Sequence, residues 1–333
     1  MKQDGTYRIT IILALTVALF SSACYEPVAN TEDDLKGDRR DSADLTNTAT
    51  DISDSSNNAG IPENASETNM MNDSNDNRSN PAKGFRENLV QLISKHGYNI
   101  GDLVDEGNPV EQRILNEYGA VFLTKAIPPP KVMFTSDGEV DAFQTKTGYS
   151  RIDLNGVTVE LQSDAAKALT AAYNEVKQKG MTLSPNDPQD SARRSYSHTQ
   201  KLWDGRFNSA CDHWKTKGKL TAEKISAMKS EPIKQQVADV LQLESQGIYF
   251  STNFDKSILY SVAAPGTSQH LSMLAFDAKE FGNEGVRKIM AKHGWFRTVR
   301  SDQPHFTYLG YAESELPSLG LKKVSGGFWI PDV

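Results

Sequence analysis

Apolar positions are unevenly spread along this chain of 333 residues. An apolar run fills 9–20, and 25–83 then carry almost no large apolar side chain. From Gly84 onward the pattern becomes periodic. Phe85, Leu89, Val90, Leu92 and Ile93 recur at helical spacing, and the helix should stop at His96-Gly97. Val110, Ile114, Leu115, Tyr118 and Val121 share one face of a second helix over 110–123, closed by Pro128-Pro129-Pro130. Residues 131–134 and 140–144 flank Ser136-Asp137-Gly138-Glu139. Asp-Gly between two such runs predicts a β-hairpin.

Residues 157–161 alternate like a strand. Ser163-Asp164 can cap a helix over 165–178 that Gly180 closes, with a short strand at 181–183. A helix starts near His198 and runs through Trp203 or beyond. A charged helical stretch over 221–243 is interrupted at Pro232. Residues 259–263, 275–276 and 305–309 are candidate strands, with a helix over 284–292 that ends at His293-Gly294. Helices and strands mix without regular βαβ alternation. The expected class is α+β, a mainly antiparallel sheet with flanking helices. The domain expectation is a leader over 1–24, a polar linker over 25–83, a small accessory α/β unit over 84–150 and a principal domain over 151–333.

The first 24 residues read as an export signal. Lys2 and Arg8 precede an apolar run too short for a membrane span, which needs roughly 20 residues. The run ends in Ser21-Ser22-Ala23-Cys24, which resembles a bacterial lipobox with Cys24 as the lipidated residue. Cleavage after Ala23 by the ordinary signal peptidase is the alternative. The 25–83 stretch cannot bury enough surface to offset chain entropy and is expected to be a disordered tether. A coil of about 60 residues spans roughly 40–45 Å. The net charge of −7 and the lack of a basic block exclude nucleic acid as the expected partner. With Cys24 lipidated, Cys211 has no disulfide partner and is expected to be a small buried apolar residue.

Candidate chemistry lies between Pro265 and His305. His270, Asp277 and His305 are two imidazoles and one carboxylate, the donor set of a catalytic zinc ion with a fourth place left for water. Asp302, three residues before His305, could act as general base. Spacing alone leaves other readings open: a hydrogen-bonded core histidine, a turn aspartate, a surface histidine. No HExxH helix and no CxxC pair is present.

The segment Pro265-Gly266-Thr267-Ser268-Gln269-His270, followed by Ala275-Phe276-Asp277, resembles the SxHxxGxAxD motif of zinc D-alanyl-D-alanine carboxypeptidases of the VanY type. Asp302-Gln303-Pro304-His305-Phe306 resembles that family's second motif, in which an acidic residue stands three before the last histidine ligand. Ala192-Arg193-Arg194-Ser195-Tyr196, with Gln200 and Trp203 after it, resembles its upstream arginine segment. The motifs occur in family order over 151–333. Met273 stands where the family has glycine, Asp302 where it usually has glutamate, and Gln200 falls one residue after the usual glutamine, with Thr199 in that slot.

The resemblance implies an LAS/hedgehog-like zinc peptidase fold with Zn²⁺ on His270, Asp277 and His305. Asp302 would be the general base. Arg194 would bind a substrate oxygen, with Arg193 as the fallback, and Ser268 and Gln200 would contact substrate. The implied substrate is a peptidoglycan stem peptide that loses its C-terminal D-alanine. The chain would be a monomer, held to the cell envelope through Cys24 and facing the periplasm or cell exterior. An endopeptidase of the same superfamily, or a non-catalytic peptidoglycan-binding envelope lipoprotein, are the alternatives. His293, His198 and His213 have no expected ligand role, and Trp203, Trp214, Trp295 and Phe296 are expected in the core.

Overall fold

The computed structural model describes residues 84–333. The expected export signal, Cys24 and the expected tether fall outside the described residues. Three helices open the described residues: α1 (Phe85–Ser94), α2 (Ile100–Leu103) and α3 (Pro109–Tyr118), the last continuing as a 3-10 turn over Gly119–Leu123. Asn108 caps α3 through its side chain, and Pro109 sits at the first helical position, where its missing N–H costs nothing.

The expected hairpin at 131–144 is instead a helix, α4 (Asp137–Thr147). Ser136 accepts from the Glu139 amide and Glu139 accepts from the Thr135 amide at 2.7 Å. These two bonds satisfy amides of the first turn in the manner of a capping box, and they outweigh the Asp-Gly turn signal.

A hairpin follows, β1 (Ser150–Leu154) and β2 (Val157–Leu161), then α5 (Ser163–Gln178). The residue just before α5 is Gln162, and Ser163 makes no capping bond. The 181–183 stretch forms no strand; only Pro185 bridges to Ala278. Next come α6 (Tyr196–Thr216), capped by Ser195, α7 (Ala222–Ser230) and α8 (Ile233–Ser245), with the break at Pro232. The expected strand at 259–263 is a 3-10 turn over Ile258–Tyr260 followed by loop.

The central sheet holds β3 (Ala275–Asp277), β4 (Trp295–Phe296) and β5 (His305–Tyr308), in the order β3-β5-β4 and antiparallel throughout. Helix α9 (Glu284–Lys292) connects β3 to β4. A hairpin of β6 (Leu321–Val324) and β7 (Phe328–Pro331) ends the chain. The α+β class with antiparallel pairing holds, distributed over three small sheets rather than one.

One hydrophobic core takes in Leu89, Leu115 and Phe122 from the early helices together with Leu169, Trp203, Phe276 and Trp295. A smaller cluster of Phe134, Val140, Phe143, Tyr196 and Leu271 packs α4 and α6 against the turn that carries His270. Gly266 makes this junction possible. Its φ is +81°, and a Cβ there would lie 1.9 Å from the Phe134 carbonyl oxygen. The Phe134 amide donates to the Gly266 carbonyl at 2.9 Å, so the two backbones lie against each other.

Candidate metal centre and cleft

His270 sits on a 3-10 turn (Gln269–Ser272), Asp277 ends β3 and His305 begins β5. The turn returns to β3 through Met273, which adopts the left-handed conformation at φ 57°, ψ 31°. That backbone explains why a glycine suits this place, and here a methionine pays the steric cost while burying its side chain completely. Asp277 and His305 are paired residues in the β3–β5 register.

The three candidate ligand atoms form a nearly equilateral triangle. His270 Nε2 to Asp277 Oδ1, His305 Nδ1 to Asp277 Oδ1, and His270 Nε2 to His305 Nδ1 are each 3.2 Å. Tetrahedral ligands at ~2.0–2.1 Å from zinc stand ~3.3 Å apart. The remote ring nitrogens fix the tautomers. His270 Nδ1 lies 2.6 Å from the Ala192 carbonyl oxygen, which can only accept, so Nδ1 carries the proton. His305 Nε2 lies 2.9 Å from Gln269 Oε1 and donates to it.

Two bare nitrogen lone pairs and a carboxylate oxygen therefore converge with no proton between them. A cation resolves that arrangement, and an N₂O donor set suits zinc. Burial, reinforced by the Arg194 charge, pulls the His270 pKa down to about 4, so the ring is neutral and free to coordinate.

Arg194 backs the carboxylate. Its Nη2 donates to Asp277 Oδ2 at 2.7 Å and its Nε to the Asp190 carbonyl at 2.8 Å. Arg193 turns elsewhere: its Nη1 pairs with Glu160 at 2.7 Å and its Nε with Gln144. The segment before these arginines runs alongside β3. The Asp277 amide donates to the Ser191 carbonyl and the Asn186 amide to the Asp277 carbonyl, both at 2.8 Å. This pairing presents the Ala192 carbonyl to His270.

A cleft of about 110 Å³ opens on His270 and His305 and is also bounded by Arg194, Ser268 and Asp302. Leu202, Leu259, Val262 and Val299 supply an apolar wall. Asp302 is solvent-exposed at the mouth, yet the protein around its carboxyl raises its pKa. Arg194 pulls it down and Asp277 pushes it up, so Asp302 shares one electrostatic environment with the triad. Thr199 lines the cleft and Gln200 does not.

No family model matches the sequence, and no curated protein does. Solved structures do. The chain is similar to the LdcB LD-carboxypeptidase, whose structure is described as revealing the molecular basis of peptidoglycan recognition. The identity is 18%, over 48% of this chain and 64% of that one, with a TM-score of 0.28. It is similar to a variant of the vancomycin-resistance D,D-pentapeptidase VanY in complex with Zn(II), at 17% identity over 50% of this chain and 82% of that one, TM-score 0.29. A third neighbour is VanYB in complex with D-alanine-D-alanine, at 16% identity over 49% and 78%, TM-score 0.29. The chain thus spans just under two thirds of the LD-carboxypeptidase.

Among the described residues, His270, Asp277 and His305 are the one group of three or more His, Cys, Asp or Glu side chains placed to hold a metal ion. His293 instead bonds Glu175 at 2.9 Å, His213 stacks on Phe254 and His198 faces Asp190. Cys211 is fully buried, and burial pushes its thiol up to about 11, far from a reactive thiolate. Two supporting groups carried no signal at the level of sequence. Gln144 donates to both the Arg194 and Leu271 carbonyls at 3.0 Å, and Tyr118 forms part of the cleft. Both come from 84–150, which shows no chemical pattern of its own.

Proposed function

We propose that this chain is a zinc-dependent peptidase that removes the C-terminal D-alanine from peptidoglycan stem peptides. The observation that carries the reading is the proton-free triangle of His270, Asp277 and His305, opening on a cleft that also holds Asp302. Zinc bound there supplies a Lewis acid that activates water near neutral pH and polarises the scissile carbonyl.

The protein's own groups complete the chemistry. Asp302 takes a proton from the attacking water and passes it to the leaving amine, and its raised pKa helps it hold that proton in between. Arg194 binds a substrate oxygen, either the terminal carboxylate or the carbonyl that gains charge. Ser268 donates a further hydrogen bond. The apolar wall accepts a small side chain such as the alanine methyl. Thr199 borders the cleft and braces its wall, its hydroxyl donating to the Tyr196 carbonyl and accepting from the Gly266 amide. Met273, which departs from the family motif, still takes the left-handed turn that a glycine would, so this departure leaves the ligand geometry intact.

Export and lipidation at Cys24 would place the enzyme in the cell envelope, where the polymer lies. Among the described residues, no helix is long and apolar enough to cross a membrane. The test is release of D-alanine from a pentapeptide stem by the full zinc-loaded chain. Cleavage of the free acid but not of the C-terminally amidated peptide supports a carboxypeptidase. Equal cleavage of both identifies an endopeptidase, and a tetrapeptide run in parallel separates D,D from L,D specificity. No cleavage of any of them contradicts the reading.

A further inference from the structure

Behind His305 lies a closed ring of buried polar groups. Gln269, Thr298 and Thr307 are 3%, 0% and 0% exposed. The Gln269 amide nitrogen lies 2.9 Å from the Tyr118 carbonyl oxygen and 3.3 Å from Thr298 Oγ1. Thr298 Oγ1 lies 2.6 Å from Thr307 Oγ1, and the Thr307 hydroxyl donates to Gln269 Oε1. His305 Nε2 meets the same Oε1.

The fixed donors and acceptors of the ring decide the proton on His305. The Tyr118 carbonyl can only accept, so the NH₂ end of Gln269 faces it. Its second hydrogen goes to Thr298, and whichever way the 2.6 Å Thr298–Thr307 bond runs, the other hydroxyl donates to Gln269 Oε1, from Thr307 or from Thr298 at 3.3 Å. That oxygen is left with one lone pair, which only a donor can use. His305 must therefore carry its proton on Nε2 and leave Nδ1 bare toward Asp277.

Resting on the zinc reading above, we infer that Gln269, held by Thr298 and Thr307, is a positioning residue that locks His305 in its metal-binding tautomer and sets the affinity of the site for zinc. The ring is buried, and reversing the amide would set its carbonyl oxygen against the Tyr118 carbonyl and its NH₂ against the protonated His305 nitrogen. A flipped imidazole is thereby excluded before any metal arrives.

Two readouts test this on the full chain. In metal-free, histidine-¹⁵N-labelled protein, the His305 ring shifts report which nitrogen is protonated. Zinc affinity is measured by competition with a chromophoric chelator. The wild type should show the Nε2–H form alone. Gln269→Leu should lose that single form and bind zinc ~10–100-fold more weakly, the usual range for such outer-shell groups. Thr307→Val, close in shape to the native residue, should weaken zinc in the same direction should the first variant fail to fold.

A wild-type His305 protonated on Nδ1, or folded variants that bind zinc as the wild type does, overturns the inference. A wild type that binds no zinc at all overturns the metal reading instead, and the ring shifts then still decide whether the lock exists.

Discussion

Asp277 and His305 stand opposite each other across the β3–β5 pair, with Asp277 Oδ1 3.2 Å from His305 Nδ1. The last residue of one strand and the first of the other thus meet at the edge of the sheet. Their neighbours Phe276 and Phe306, also paired, are buried in the core. Strand alternation sends one pair inward and the other to the cleft. A one-residue slip would exchange them, so sheet register and ligand geometry are a single property of this fold.

Arg194 and Asp277 are both largely buried, with side chains 16% and 13% exposed. Removing the cation leaves the carboxylate without its partner, a loss of about 3–5 kcal/mol for a buried pair. A metal ion offsets that carboxylate. Arg194→Met should therefore destabilise the chelator-treated protein by about 3 kcal/mol and the zinc-loaded protein by clearly less. Urea midpoints with and without chelator measure the difference, and equal losses in both states would contradict it.

Asp302 belongs to the chemistry and not to the ligand set. Asp302→Ala should keep wild-type zinc content and lose at least ~10²-fold in turnover, the low end for a general base. Asp302→Glu, one methylene longer, should recover part of it. Unchanged turnover in Asp302→Ala would remove this residue from the mechanism.

Glu175 on α5 ties down the end of α9. It bonds Lys292 and His293, each at 2.9 Å, and these two partners hold its pKa at about 2 instead of the ordinary 4.5. The folded value lies below the unfolded one, so the stabilisation is present above about pH 4.5 and is lost as pH falls toward 2. The gap in urea midpoint between wild type and Glu175→Gln should be open at about pH 5 and close across that acid window. Salt should narrow it, because Lys292 is solvent-exposed. A gap independent of pH would exclude this ion pairing as its source.

Met273 sets two effects against each other. Truncating a buried methionine costs about 2–5 kcal/mol, while glycine in the left-handed region relieves about 1–2 kcal/mol of backbone strain. Packing wins, so Met273→Gly and Met273→Ala should both destabilise. Met273→Ala should be the worse by about 1 kcal/mol, since it loses the packing and keeps the strain. The order of their thermal midpoints checks this directly.

Much of the site's surroundings was legible because local signals agreed there. The break at Pro232 separates α7 from α8, and the periodicity over 284–292 gives α9. The three proposed ligands could be picked out because motif spacing accompanied them. Where signals competed, the local pattern misled. Ser136-Asp137-Gly138-Glu139 carries both a hairpin dipeptide and a helix cap, and the cap prevailed once Phe143 and Val140 had a cluster to pack in. The 259–263 stretch reads as a strand, but its residues wall the cleft instead of pairing. The β4, β6 and β7 strands are too short for alternation to show. Gln269 lies between two motif residues, and its role depends on Thr298 and Thr307, which only the fold brings beside it.

The most direct test is zinc stoichiometry, read by native mass spectrometry of the full chain beside His270→Ala, Asp277→Ala and His305→Ala at equal zinc. One Zn²⁺ per wild-type chain and none on the three variants is the predicted result. A wild type without zinc, or a variant that retains it, would contradict a metal centre built from these three side chains.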